Sequence, residues 1–350
     1  MRAITVQPRM PGSARLEDVL EPRAEDGALL VQSIALGICG TDREIVGGEY
    51  GDAPAGQQRL ILGHESLGAV LEAPPGCGFA PGDPIVGIVR SPDPVPCPAC
   101  AGGEWDMCRN GLYTERGIKA RHGFGAERFR IAPEFAVKVD PALGLLAVLL
   151  EPASILAKAW DHIDAIGRRS RTWRPRNVLV TGAGPIGFMA ALMGKQRNLD
   201  VHLFDRAVEG PKLAIAAQLG ATYHSGAIGD VVASWQPDIV IETTGAVAVI
   251  KDILGRAAPG GIICLTGVSG RHVAELDLGD LNRTMVLNNH VVFGSVNANR
   301  GHYEAAAQAL ARADRAWLES LISRRVPLEH WQEALENRKD DIKVVIDFTR

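Results

Sequence analysis

The chain has 350 residues, 46% hydrophobic and 22% charged, which can bury a large core and makes two domains the default expectation. A formal net charge of −4 lacks the basic excess of a phosphate-backbone binder, so no nucleic-acid partner is expected. The opening MRAITVQPRMPGSARLEDV has no apolar run of the signal-peptide kind, and the stretch 145–150 is too short to span a bilayer, so a soluble, cytoplasmic protein without a membrane partner is expected.

Residues 1 to about 150 are rich in Gly and Pro, with short β-type runs at 29–36, 68–72 and 84–89 separated by turn signals such as PPGCG and PGD. This half reads as an irregular, mostly β domain. Within it lie Cys39, His64 and, further on, Glu151: a thiolate, an imidazole and a carboxylate suited to zinc with a position left for water or substrate. Residues 97–108, CPACAGGEWDMC, place Cys97, Cys100 and Cys108 in a C-x2-C-x7-C array, which in a signal-free chain favours metal over disulfides. Cys77 and Cys264 stand apart and read as small buried hydrophobes.

From about residue 153 helix and strand alternate: a helix at 154–166, a strand NVLVTGAG, a helix at 186–196, a strand DVHLFDR, a helix around 211–219, then strands DIVIET and GIICLTG. That alternation predicts an α/β, doubly wound parallel sheet. Gly182, Gly184 and Gly187, with Pro185 and Ile186 between them, form G-x-G-x-x-G at the end of an apolar strand and the start of a helix. There they allow a tight turn, backbone approach to a pyrophosphate and close helix-to-strand packing. Asp205, eighteen residues after Gly187, is placed to bond an adenosine ribose and favours NAD; Arg206 beside it keeps NADP open.

In this order, GICGTD, GHE, the cysteine lobe, the EP pair and GAGPIG resemble the zinc-dependent medium-chain dehydrogenases over essentially the whole chain. LGICGTDREI, LYTERGI, HGFGAE, LLEPASI and FGSVNANRGHYEAA are most similar to the glucose 1-dehydrogenase branch. The resemblance implies a Rossmann-type domain at 153–296 inserted into a GroES-like catalytic domain made of 1–152 and 297–350. It implies catalytic-zinc ligands Cys39, His64 and Glu151, with Glu65 as a neighbour or occasional ligand. It also implies a proton relay through Thr41, a His64-orienting Asp42, and sugar contacts from Glu115, Glu151 and Asn297. Nicotinamide-side contacts fall on Thr243, Thr244, Gly245, Gly267, Val268 and Asn297. The implied reaction is oxidation of an aldose at C1, with zinc acidifying the hydroxyl and hydride passing to NAD or NADP. A homodimer or homotetramer, joined through edge strands of the nucleotide domain, goes with it.

Three features depart from the family pattern. The cysteine lobe lacks a fourth thiolate, since Pro94 stands three residues before Cys97, and Asp93 is the nearest replacement for a structural zinc. The region of Ile155 lacks an acid that some relatives carry, and Asp205 beside Arg206 differs from NADP-selective relatives. Another polyol or secondary alcohol as substrate is the second reading. A non-catalytic nucleotide-binding sensor is the third, and the open ligand set argues against it because folding alone does not require one.

Overall fold

The computed structural model describes residues 1–270 and 273–350, and the chain divides into two units. One contains Met1–Ser154 and Asn297–Arg350; the other is Ile155–Val296.

The first unit is built on a mostly antiparallel sheet. Its strands run in the order Ala136–Lys138, Pro84–Gly87, Glu65–Glu72, Leu29–Ile38, Lys343–Asp347 and Ile322–Pro327, with Arg128–Ile131 also paired to Leu29–Ile38. The strand Lys343–Asp347 lies inside this order, antiparallel to Leu29–Ile38 and parallel to Ile322–Pro327, so the late part of the chain completes the early sheet. Every residue of KVVID is buried, including the lysine. Leu36, Phe124, Phe129, Ile131 and Trp331 belong to the core behind the sheet. A small sheet of Arg90–Ser91, Thr114–Arg116 and Ala120–Arg121 carries a separate set of charged side chains.

The second unit holds six parallel strands in the order Thr222–His224, Asp200–Phe204, Asn177–Thr181, Ile239–Glu242, Ile262–Leu265 and Val291–Gly294. Counted within the unit this is 3-2-1-4-5-6, the doubly wound order that places ligands at the carboxyl ends of the strands. Leu179, Val240 and Ile263 are fully buried, as expected of parallel strands covered on both faces.

Helix Leu150–Gly167 begins earlier than the predicted 154, because Pro152 stands in the first turn, where no N–H is required of it. The helical run Pro141–Gly167 is apolar and long enough to cross a membrane by length and composition. It is broken at Gly144, and 78% of its apolar window is buried within the protein, as in a core helix.

Candidate metal centre and dinucleotide site

The strand Leu29–Ile38 ends at Cys39, which turns the chain into the helix Gly40–Val46. The Cys39 N–H donates to Asp42 Oδ2 at 2.9 Å, so the acid that caps the helix also fixes the backbone that carries the thiol. The other oxygen, Asp42 Oδ1, stands 3.5 Å from His64 Nδ1, and both atoms are buried with no closer partner. With that side of the ring faced by a carboxylate, His64 Nε2 lies 3.1 Å from Cys39 Sγ. Thr41 follows in the first helical turn and is half-buried.

Glu65 opens the next strand and reaches the same place because Gly37, its ladder partner, has no side chain. A Cβ at Gly37 would sit 2.1 Å from Glu65 Oε2. One ligand atom each from Cys39, His64 and Glu65 lies within 4.8 Å of the other two. Glu65 is shared, however: Lys343 Nζ donates to its two oxygens at 2.7 and 2.6 Å and to Ile38 O at 3.2 Å. Lys343 was not anticipated, although a lysine inside the apolar run KVVID was a signal. Glu151 stands outside the close group but within its field. Burial pushes its carboxyl up to about 7, Glu65 and Asp42 add to the rise, and His64 and Lys343 oppose it.

A thiolate, an imidazole and carboxylates form a donor set that zinc accepts. Their electrostatics agree. Burial raises the Cys39 thiol and opposes charge on His64, yet Cys39 and Asp42 drive His64 well above its ordinary range. The surroundings therefore favour a cation between these donors, and a divalent metal supplies one.

Glu115 lies on the strand Thr114–Arg116. Its Oε1 accepts from Arg90 Nε at 3.1 Å, Arg90 Nη2 at 2.9 Å and Asn297 Nδ2 at 2.7 Å. Among the described residues no hydrogen bond uses Oε2. Arg90 also donates to Asp106 O at 3.1 Å and stacks over the Tyr113 ring at 3.7 Å. Asn297 is held at φ 62°, with its Oδ1 accepting from Ala298 N. Glu115, Arg90 and Asn297 are all buried, and Arg90 was likewise absent from the sequence reading.

The sulfurs of Cys97, Cys100 and Cys108 lie within 4.8 Å of one another. Asp93, expected as the fourth ligand, does not join them. Its Oδ1 accepts from Val95 N at 2.8 Å and its Oδ2 from Asn110 Nδ2 at 2.8 Å, so the carboxylate closes its own turn. Three thiols are what this lobe offers a metal among the described residues.

In the second unit Gly182 has φ 98°, and a Cβ at Gly187 would lie 1.7 Å from Gly182 O. Gly184 precedes the helix Pro185–Gln196 and faces open space, leaving the helix N-terminus accessible to a pyrophosphate. Ile186 is half-buried in the first turn of that helix. Asp205 Oδ2 accepts from Ala183 N at 2.8 Å and its Oδ1 from Ala207 N at 3.0 Å, with Lys212 Nζ at 3.1 Å. The acid thus braces the glycine turn, while Arg206 is exposed. The Thr243 hydroxyl donates to Thr181 O at the end of the neighbouring strand and the Thr244 hydroxyl to Glu242. Glu242, fully buried and unanticipated, also accepts from Thr244 N and Gly245 N. Gly267 N donates to Glu242 O, and Val268 beyond it is exposed.

Comparison with known proteins follows these lines. A model of the glucose dehydrogenase C-terminus matches residues 144–348, and one of the alcohol dehydrogenase GroES-like domain matches 25–141. Glucose 1-dehydrogenase of Methanocella arvoryzae is 40% identical, with 99% of each chain covered. Glucose 1-dehydrogenase 2 of Vulcanisaeta moutnovskia shows the same identity and coverage. Among solved structures, Haloferax mediterranei glucose dehydrogenase in complex with NADP, Zn and gluconolactone superposes with a TM-score of 0.93, at 30% identity and 100% of both chains.

Proposed function

Because the chain belongs to the glucose 1-dehydrogenase branch of the zinc-dependent medium-chain dehydrogenases, we propose that it oxidises an aldose, D-glucose or D-galactose, at C1 to the aldonolactone. The observation that carries this reading is the meeting of Cys39 Sγ and His64 Nε2 at 3.1 Å beside two further buried carboxylates.

Cys39, His64 and Glu151 would hold zinc, which when bound supplies Lewis acidity to the C1 hydroxyl and lowers its pKa toward neutrality. Thr41, at the start of the adjoining helix, takes the hydroxyl proton and passes it toward solvent. Asp42 keeps His64 Nε2 directed at the centre by facing Nδ1. Lys343 neutralises Glu65, so that the thiolate and Glu151 are not joined by a third unbalanced anion. Glu115, its Oε1 saturated by Arg90 and Asn297, offers Oε2 to a sugar hydroxyl and thereby orients the ring.

The GAGPIG turn would hold the pyrophosphate of NAD or NADP, whose nicotinamide, when bound, supplies the hydride acceptor. Lys212, 3.1 Å from Asp205, and the exposed Arg206 supply positive charge where a ribose 2′-phosphate would lie, which supports use of NADP as well as NAD. Self-association fits the edge strand Val291–Gly294, flanked by exposed Val286, Leu287 and Val296.

A panel of aldoses, acyclic polyols and simple alcohols with both coenzymes tests the proposal. Lactone formation from glucose or galactose is expected; activity confined to polyols or alcohols refutes the substrate, and coenzyme binding without turnover favours the sensor reading.

A further inference from the structure

Beside the strand Thr114–Arg116, within the first unit, lies a cavity of about 780 Å³. Ligand sites for molecules of sugar-phosphate size span about 300–1,000 Å³. Glu115 and Arg116 are consecutive on that strand, and successive strand side chains leave on opposite faces. Glu115 meets Asn297, while Arg116 lines the cavity together with Arg121, His122 and Arg130.

The charges of this lining do not balance locally. Arg116 is 5% exposed and donates only to carbonyls, Arg130 O at 2.7 Å and His122 O at 3.4 Å. Arg121 donates to Ser91 Oγ. Neither guanidinium has a carboxylate within ion-pair distance among the described residues. Arg130 pairs with Glu72 at 2.9 Å, but its Nε is buried with no partner. Of the acids in the lining, Glu17 is engaged by Arg59 at 2.8 Å, Glu21 by Arg128, Glu25 by Arg23 at 3.8 Å and Asp26 by Arg23 N at 2.9 Å, while Asp18 is exposed to solvent. Asp26 and Glu134 favour the Arg121 charge only from a distance. His122 adds no counter-charge, with Nδ1 accepting from Ile61 N and Nε2 directed at Gln57.

Arginine does not escape burial by losing its proton. Burial and the neighbouring Arg121 bring Arg116 down only to about 9, so it remains a cation at neutral pH. A buried and a half-buried guanidinium without acids, and a third with an idle donor, form the donor array that a tetrahedral oxyanion satisfies.

We propose that this cavity is a binding site for a phosphate group, as free phosphate or as a small phosphate ester, held by Arg116, Arg121 and Arg130. The site is separate from the dinucleotide turn and does not depend on the sugar reading.

Calorimetry on the full chain, with sodium chloride matched for ionic strength, tests it using inorganic phosphate and glycerol 3-phosphate as probes. Arg121→Gln is expected to weaken phosphate binding at least tenfold while leaving the melting temperature in chloride unchanged. Arg338→Gln, at an exposed arginine outside the cavity, is expected to leave the affinity as in the wild type. Tighter binding of the ester identifies an organic phosphate; equal binding identifies free phosphate. Phosphate held at the GAGPIG turn does not respond to Arg121→Gln, so unchanged affinity in that variant overturns the proposal. So does absence of binding beyond the chloride control. Arg116→Gln provides a second variant, expected to lose affinity in parallel.

Discussion

Lys343→Met keeps the length of the side chain and removes its charge. In the native protein Lys343 and Glu65 are 1% and 3% exposed and meet at 2.6 Å, so the variant leaves a carboxylate buried without its cation. Removing one partner of a buried pair costs about 3–5 kcal/mol. By contrast the exposed pair Arg338–Glu336 contributes about 0–1 kcal/mol. Urea unfolding of the metal-free protein, followed through the transition of the unit that holds the pair, measures the difference. Glu65→Leu and the double variant complete the cycle, and the double variant is expected to recover on the order of 3 kcal/mol relative to the sum of the singles. Zinc affinity provides a second readout: Lys343→Met frees Glu65 for the ion, so affinity is expected to rise while stability falls. A loss below about 1 kcal/mol, or additive singles, refutes the assignment of an energetically coupled pair.

Cys39→Ala is expected to abolish turnover while coenzyme still binds, as read by fluorescence titration; retained turnover removes the thiolate from the centre. Gly187→Ala places a methyl 1.7 Å from Gly182 O, so a stability loss of about 1–3 kcal/mol and at least about tenfold weaker coenzyme binding are expected in urea and binding titrations. At Asp205 burial opposes the charge, but the N–H groups of Ala183 and Ala207 and the Lys212 ammonium outweigh it and depress the pKa. Its stabilisation is therefore present above the unfolded aspartate range and is lost as pH falls through the folded pKa. Melting curves from about pH 6 to about pH 2 should fall more steeply for the wild type than for Asp205→Asn, and parallel curves contradict this.

What was legible in the sequence was local or carried by a motif. The GAGPIG turn reads from contiguous residues because its turn, helix start and packing glycine all lie within one short segment. Cys39 and His64 were named through GICGTD and GHE, each a compact pattern. Lys343, Arg90 and Glu242 were missed for a shared reason: each is a charged residue whose role depends on its burial and its partners. Lys343 meets Glu65 across 278 residues, and Arg90 meets Glu115 across 25, without a pattern joining them. Asp93 shows the converse case. Proximity in sequence suggested a ligand, but Asp93 bonds Val95 N and Asn110 Nδ2 and lies outside the group formed by the three sulfurs. The helix Leu150–Gly167 starts before the expected 154, with Pro152 in its first turn, where its missing N–H breaks nothing.

The strand Lys343–Asp347 also sets an order of events during synthesis. All six strands of the parallel sheet, ending at Gly294, leave the ribosome before it, so that sheet is free to form on local connections. Cys39 and His64 emerge among the first residues, but the lysine that neutralises their neighbour Glu65 arrives across a separation of 305 residues from Ile38. Long-range closure is slow relative to local pairing. For most of its translation the nascent chain therefore carries Cys39, His64 and Glu65 without the ammonium that neutralises Glu65, and the metal cradle is among the last features to become defined.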